Sequence, residues 1–558
     1  MTAFNWKIAG AAGEGIKKSG LIFAKTCFKH GLNVQGYTEY PSLIRGGHNT
    51  FQIHASSEDI TSPKYALDVL VDIHGQGAEI HKSEITPNTI VLADNLPLAD
   101  LVKKTGGIPK MKNMAALGAS AFLLGLSLDL LNKTLAEIFS KKGDDIIKGN
   151  QTVAKAGYDY AQKNLKDKAR PTIQIGSEIK DKLFITGNQA LSYGAIAGGM
   201  KLYIAYPMTP ATSILHTLAA KAKQANIAVR HAEDEIGTIN MAIGAGFTGV
   251  RSMVATSGGG FSLMTEGLGL SGITETPLVI VNAMRPGPAS GMPTWSSQGD
   301  LLYAIHASQD EFPRIVITPG DPQECFQLSK LAQNLAEKYQ LPVIILTDKF
   351  LGESYFSIKK PALTQQNQRY GFADTSKLNN DEPFKRYQDT DTGISPRSIP
   401  GQSGGVHLTN SYEHNELGYA TEESLERIKQ VNKRNKKTPQ ILKDPDFATP
   451  VLYGPPTADQ TIVSWGSNKS VILEALKTLT TTNFIHFPII WPFPKDKFLQ
   501  LTKSAKKLIT LECNSTGQLN QLIRMQTGLK IDNQILKYDG RPFFPYEIVS
   551  KVKGGTII

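Results

Sequence analysis

RSMVATSGGGFSLMTEGLGLSGITETPLVIVNAMRPG, residues 251–287, is the stretch on which the fold turns. Residues 251–256 read as a short strand that leads into a glycine-rich turn. Gly258-Gly259-Gly260 makes that turn, and a helical pattern starts at Leu263. A second strand, 277–282, follows. Strand, helix and strand in that order predict two parallel strands of one sheet joined by a crossover.

The same alternation extends outward. LFITGNQALSYGAIAGGM opens a unit near residue 182. Strands are expected at 202–205, 314–317 and 342–347, and helices at 212–225, 234–246 and 322–339. Residues 1–180 read as a separate α/β unit, with strands at 6–9, 50–54, 66–73 and 89–93 and helices at 16–30, 114–126 and 131–139. Their order argues for a parallel sheet. Residues 448–558 alternate again, with strands at 461–465, 484–488 and 507–512 and helices at 470–479 and 516–527. The fold class is therefore α/β: three tandem doubly wound units, 1–180, 181–358 and 448–558, with an extended polar arm at 359–447. The arm is rich in Asn, Asp, Gln, Ser and Pro and ends in a charged helix at 422–435. SPRSIPG (395–401) and NSYEHNELGY (410–419) supply proline and aromatic anchors that a solvated linker does not need, so an ordered, wrapping arm is expected.

The chain has 558 residues and a net charge of +10. The cationic runs, Lys433-Arg434-Asn435-Lys436-Lys437 and the 103–112 region, do not interleave with aromatics, and no nucleic-acid module is present. An acidic protein partner or an anionic substrate fits the charge better. No apolar run approaches about 18 residues and no signal peptide opens the chain, so no membrane segment is expected. The three cysteines, Cys27, Cys325 and Cys513, lie far apart, which fits a cytoplasmic protein without disulfides. Three cannot ligate an iron–sulfur cluster, which takes about four. No metal site is expected in this chain.

Several loops follow strands, where open α/β sheets bind ligands. Gly10-x-x-Gly13-x-Gly15 lies between a strand and a helix, as either a phosphate cradle or a tight turn. Arg45 and His48, in SLIRGGHNT, face phosphates or a domain interface. Tyr206-Pro207-Met208-Thr209-Pro210 puts Thr209 at a strand's carboxyl end. Glu233-Asp234-Glu235 begins a helix; acids are favoured there by the dipole alone, but the uncharged, small-residue helix that follows draws at least one carboxylate into an apolar setting, which is costly unless it bonds something. Ser257-Gly258-Gly259-Gly260 lets backbone approach a ring or phosphate. Arg285 suits either bidentate carboxylate binding or an interface ion pair. No Gly-Asp-Gly segment with following asparagines, the usual diphosphate grip of thiamine enzymes, occurs.

Taken together, YPMTP (206–210), Glu235, TSGGGFSLM (256–264) and NAMRPGPASGMPT (282–294) resemble the pyrimidine-binding domain of 2-oxoacid:ferredoxin oxidoreductase alpha subunits. IAGAAGEGI (8–16) and SLIRGGHNT (42–50) resemble the gamma domain, here fused ahead of alpha. TGQLNQLIRMQTG (516–528) and ILKYDGRPF (535–543) resemble the terminal, transketolase C-terminal-like domain. The resemblance implies a thiamine diphosphate enzyme that converts a 2-oxoacid, most simply 2-oxoglutarate since gamma–alpha fusion is common in that branch, to its acyl-coenzyme A. Pyruvate, a branched-chain 2-oxoacid, or a non-catalytic scaffold are the alternatives. It further implies that Glu235 hydrogen-bonds N1′ of the aminopyrimidine and that Arg285 holds the substrate carboxylate. Thr209 and Tyr206 face substrate, and Pro207, Ser257, Gly258 and Gly259 contact the cofactor. Gly10, Gly13, Gly15 and Arg45 are candidates for coenzyme A phosphates. Mg2+, the diphosphate grip and a [4Fe-4S] cluster are implied in a separate beta subunit, with ferredoxin as electron acceptor and a heterodimer or dimer of heterodimers as the assembly. Met208 stands where isoleucine is commoner and Gly259 where proline is common. Both departures bear on substrate preference.

Overall fold

The computed structural model describes residues 3–41, 47–93, 95–170, 179–362, 368–378 and 381–555. The chain divides into two compact units: Met1–Thr186 with Glu353–Lys360 and Phe544–Ile558, and Gly187–Gly352 with Pro361–Phe543.

The first unit is built on a seven-stranded sheet in the order Ile90–Leu92, Val69–Asp72, Ala3–Ala11, His48–Ser56, Asn33–Glu39, Tyr355–Lys359, Lys182–Thr186. Only its first three strands are parallel to one another. The other pairings are antiparallel, which corrects the parallel sheet expected for this unit. The reason is chain length: residues 40–47 between Asn33–Glu39 and His48–Ser56 are too few for a crossover, which takes about a dozen. Asn33–Glu39 itself escaped the sequence reading because NVQGYTE is polar and carries a glycine. Lys182–Thr186 and Tyr355–Lys359, assigned above to 181–358, pair with each other and complete this sheet. Tyr355–Lys359 alternates in burial along its length, the pattern of a strand with one covered face, and it also pairs with Asn33–Glu39.

The 21-residue helix Asp144–Asn164 likewise lacks a sequence signature. Its buried face is Asn150, Val153, Ala154, Gly157 and Ala161, too small and polar to register as an apolar stripe. Small residues serve here because the helix crosses Lys112–Leu123 at backbone distance. A Cβ on Gly157 would sit 1.9 Å from Ala115 O, and one on Gly118 would sit 1.8 Å from Ala154 O. Gly157→Ala is therefore expected to destabilise the chain by about 1–3 kcal/mol, because the two helices must part. Urea unfolding checks this, and an unchanged midpoint would refute it.

The second unit holds two sheets. One has the order Ile489–Trp491, Ile315–Ile317, Pro342–Asp348, Leu278–Met284, Ser252–Thr256, Leu202–Ala205, Ala228–His231. All its pairings are parallel except that of Ile489–Trp491, which the terminal segment contributes to the edge. The other sheet has the order Val451–Tyr453, Thr482–Phe487, Gln460–Trp465, Leu508–Glu512, Asn533–Leu536, parallel after the first pair. The two share one core, in which Val254, Ile280 and Ile344 cluster with Val463, Trp465 and Phe487. They form one unit for that reason.

The arm has little regular structure beyond the helices Ser424–Asn435 and Lys437–Lys443. Buried charges attach it. Lys433 and Lys437 both pair with Glu275. Arg369 and Arg397 of the arm join Arg251 on the carboxylate of Glu337, at 2.6, 3.1 and 2.7 Å. Among the described residues, no helix is long and apolar enough to cross a membrane.

Candidate functional site

The parallel strands of the first sheet in the second unit end together, and four loops leave their carboxyl edge. Ile204 pairs with Val254, and Thr256 with Asn282. The segments that follow, from Tyr206, Ser257 and Arg285, therefore emerge side by side. The helix Glu235–Phe247 starts beyond the neighbouring strand Ala228–His231.

The three acids at that helix start have separate fates. Asp234 is the N-cap and accepts from Gly237 N at 2.7 Å, so the dipole and capping need is met there. Glu233 is exposed. Glu235 is buried, 3% exposed, and its Oε1 has no hydrogen-bond partner among the described residues. The glycine loop packs against it: a Cβ on Gly260 would lie 2.5 Å from Glu235 Oε1 and 2.1 Å from Thr256 Oγ1. A carboxylate that neither caps nor pairs, held against bare backbone, is what the apolar helix sequence led one to look for.

Two more unpartnered buried atoms lie on the adjoining strand ends, Ser257 Oγ and Asn282 Oδ1. Each buried polar atom left unsatisfied costs about 1–3 kcal/mol, so three along one sheet edge make this edge a candidate ligand site. Asn282 Nδ2 donates to Asp300 Oδ2 at 3.0 Å, which aims the amide. Burial pushes the Asp300 carboxyl above its ordinary range, partly offset by the Asn282 bond. Neither Asn282 nor Asp300 was singled out from the sequence. Asn282 carries one legible signal, a polar residue within a buried strand, whereas Asp300 carries none.

Arg285 and Thr209 come together: Arg285 Nη1 donates to Thr209 O at 2.8 Å. Arg285 makes no ion pair among the described residues, and partial burial lowers its pKa from the ordinary guanidinium value. Thr209 is half-buried, while Tyr206 is 39% exposed and its ring stands 6.2 Å from that of His231. The Thr256 hydroxyl lies 3.7 Å from Met208 Sδ, which ties the YPMTP turn to the glycine loop. Gly258 is half-buried and Gly259 exposed. Ile236 and Met241 on the helix Glu235–Phe247, and Leu263 at the end of the helix Gly258–Leu263, are about half exposed.

In the first unit Gly10 lies inside Ala3–Ala11, and Gly13 and Gly15 form the turn into Ile16–Lys29. The turn already holds an anion of its own, since Glu14 Oε2 accepts from Ala11 N at 2.8 Å. Beside it is a cavity of about 450 Å³ lined by Gly13, Gly15, Lys18, Lys110, Lys112 and Phe139, among others. Lys112 pairs with Glu14 at 2.7 Å, and Lys18 Nζ stands 3.9 Å from the Phe139 ring centroid. Arg45 lies outside the described residues. His48 contacts His81, Nε2 to Nε2, at 2.8 Å.

A family model described as pyruvate flavodoxin/ferredoxin oxidoreductase, thiamine diphosphate-binding, matches residues 193–433, and one described as pyruvate ferredoxin/flavodoxin oxidoreductase matches residues 5–160. A 2-oxoacid:ferredoxin oxidoreductase subunit alpha from Sulfolobus sp is 32% identical over 98% of this chain and 95% of its own length. A 2-oxoglutarate synthase subunit KorA from Methanothermobacter marburgensis is 32% identical over 67% of this chain and 99% of its own. The solved 2-oxoglutarate:ferredoxin oxidoreductase from Magnetococcus marinus, with 2-oxoglutarate, coenzyme A and succinyl-CoA bound, superposes with a TM-score of 0.92 at 31% identity over 99% of both chains.

Proposed function

This chain belongs to the 2-oxoacid:ferredoxin oxidoreductase family as an alpha subunit, and from that membership we propose that it acts with a beta subunit in the coenzyme A-dependent oxidative decarboxylation of 2-oxoglutarate to succinyl-CoA, with ferredoxin taking the electrons. The observation that carries the reading is Glu235, buried with an unpartnered Oε1 against the backbone of Gly260.

The residues at the sheet edge fit the aminopyrimidine of thiamine diphosphate. Glu235 offers a carboxyl to N1′, and Pro207, Ser257, Gly258 and Gly259 offer a flat wall with little side chain. Bound there, the cofactor supplies the electron sink for loss of CO2. This chain's residues do the rest. Glu235 holds a proton between its carboxyl and N1′. Arg285 receives the carboxylate next to the oxo group, and Thr209 and Tyr206 line its approach. Mg2+, the diphosphate grip and the [4Fe-4S] cluster are assigned to the beta subunit, since this sequence has three scattered cysteines and no Gly-Asp-Gly segment. The exposed apolar side chains of Ile236, Met241 and Leu263 suit contact with that subunit, in a heterodimer or dimer of heterodimers. The basic cavity beside Gly13 and Gly15 suits coenzyme A, with Lys18 and Lys110 toward its phosphates. A cytoplasmic site of action fits three cysteines that are all buried and form no disulfide among the described residues. The choice of 2-oxoglutarate is supported by the ligands of the Magnetococcus marinus structure, which aligns along 99% of this chain.

The test is to co-express the chain with its beta subunit and follow coenzyme A-dependent reduction of a viologen dye across a panel of 2-oxoacids. The highest kcat/KM is expected for 2-oxoglutarate. Another 2-oxoacid in first place would overturn the substrate, and no activity on any would overturn the reaction. In the same assay Gly260→Ala should lower turnover at least about tenfold, because its methyl must displace the Glu235 carboxyl or the Thr256 hydroxyl. Turnover equal to the parent would mean that the glycine loop does not shape the site.

A further inference from the structure

ILKYDGRPF, residues 535–543, has no part in the chemistry above, yet it meets the loop that runs on from Arg285. Gly540 O accepts from Ser296 N at 2.9 Å. Gly540 has φ +86, and a Cβ there would stand 3.1 Å from the side chains of both Met292 and Trp295. Next to it the Arg541 guanidinium lies 3.7 Å from the Trp295 ring centroid, its Nη1 donating to Asp539 O at 2.9 Å. Three residues past Trp295, Gln298 is fully buried and its side chain is committed to the terminal segment. Nε2 donates to Trp465 O at 2.9 Å, and Oε1 accepts from Asn468 Nδ2 at 2.7 Å and Cys513 N at 2.9 Å.

The loop's near end is Arg285, bonded to Thr209 O. Between the ends, Met292 N closes onto Pro286 O at 2.9 Å, and residues 287–291 are exposed. A loop with an exposed middle takes its position from what holds its two ends. One end is the substrate-facing edge; the other is held by the Ser296 bonds to Gly540 O and from Phe350 N, and by a cation–aromatic stack supplied by a residue more than two hundred positions later in the chain.

We propose that Arg541 is a positioning residue for the 2-oxoacid: stacked on Trp295, it fixes the far end of the loop that presents Arg285, so the terminal segment sets substrate affinity. This rests on the reading that Arg285 holds the substrate carboxylate. Without the stack the loop gains freedom at one end, while Gln298 keeps the segments joined. The loss then falls on binding of the 2-oxoacid and not on the cofactor end of the site.

The experiment uses the assembled complex with the beta subunit and measures KM for the 2-oxoacid, KM for coenzyme A, and kcat. Arg541→Ala should raise KM for the 2-oxoacid about fivefold to tenfold, with kcat and KM for coenzyme A within about twofold. Arg541→Lys should recover part of the loss, since a cation remains over the ring. Arg285→Ala, run in parallel, should raise the same KM. If Arg285→Ala raises it and Arg541→Ala does not, the positioning role is overturned and the Arg285 reading stands. If Arg285→Ala leaves it unchanged, the Arg285 reading fails, and the proposal with it. If Arg541→Ala and Arg541→Lys both depress kcat and assembly together, Arg541 is a structural residue and the proposal is overturned.

Discussion

Glu235→Gln is expected to lower turnover of the assembled enzyme by about a thousandfold while leaving assembly intact. Positioned acid–base groups contribute roughly 10²–10⁴ in rate, and an amide cannot exchange a proton with N1′ as a carboxyl does. Gln has the same shape as Glu, so packing against Gly260 and Thr256 persists. Stability should not fall, because the substitution removes a buried carboxylate whose Oε1 has no partner in the chain. Dye reduction and a thermal melt on the same preparation separate the two effects. Turnover within tenfold of the parent would take Glu235 out of the mechanism. A large drop in melting temperature would mean that it is a structural carboxylate.

The largest stability effect should come from the arm. Glu275 is completely buried beneath the Lys433 and Lys437 ammonium groups, themselves buried. Burial alone would raise its carboxyl, but Lys433, Lys437 and Arg386 overcome that and hold it well below the usual range. Burial likewise pulls Lys433 down to about 8, against the attraction of Glu275. Glu275→Gln removes the one negative charge and leaves the cations facing each other. Breaking a buried pair from one side costs about 3–5 kcal/mol, because the remaining charge is uncompensated. Urea unfolding with limited proteolysis of residues 368–447 should show a weaker chain with a more readily cut arm, and adding Lys433→Met should return part of the loss. The pH dependence follows from the sign of the shift. A carboxyl depressed by folding contributes stability that is full above its unfolded pKa, about 4.3, and is lost as pH falls through the folded value. The gap between parent and variant should therefore narrow below about pH 4. A midpoint unmoved by Glu275→Gln at neutral pH would show that the arm is held by other contacts.

The elements legible in the sequence were those whose side chains announce them. Residues 278–281 and 342–346 are apolar runs at the start of the strands Leu278–Met284 and Pro342–Asp348, and Pro322–Tyr339 is bounded by its Asp321 cap, so each element is legible within about two residues. Asn33–Glu39 and Asp144–Asn164 were missed because they bury polar or small residues, and periodicity does not weigh those. The candidate site divides in the same way. Glu235, Thr209 and Arg285 stand in motifs that a reader can recognise. Asp300, Gln298 and Arg541 act through contacts with residues 18 to more than 200 positions away, and no local pattern marks them.

By itself, then, the sequence determined the α/β class, the family, and the fact that one acid at the Glu233–Glu235 cluster enters an apolar helix. It could do so because these depend on local composition and on residues close together in the chain. Only the tertiary structure decided which acid is free. Asp234 takes the capping bond, and the glycine loop, arriving from a strand two places away in the sheet, closes over Glu235. It also decided that the first sheet is mixed and that the arm is fastened by buried charge. Those outcomes depend on which distant groups meet once water is excluded, and a linear pattern does not encode that meeting.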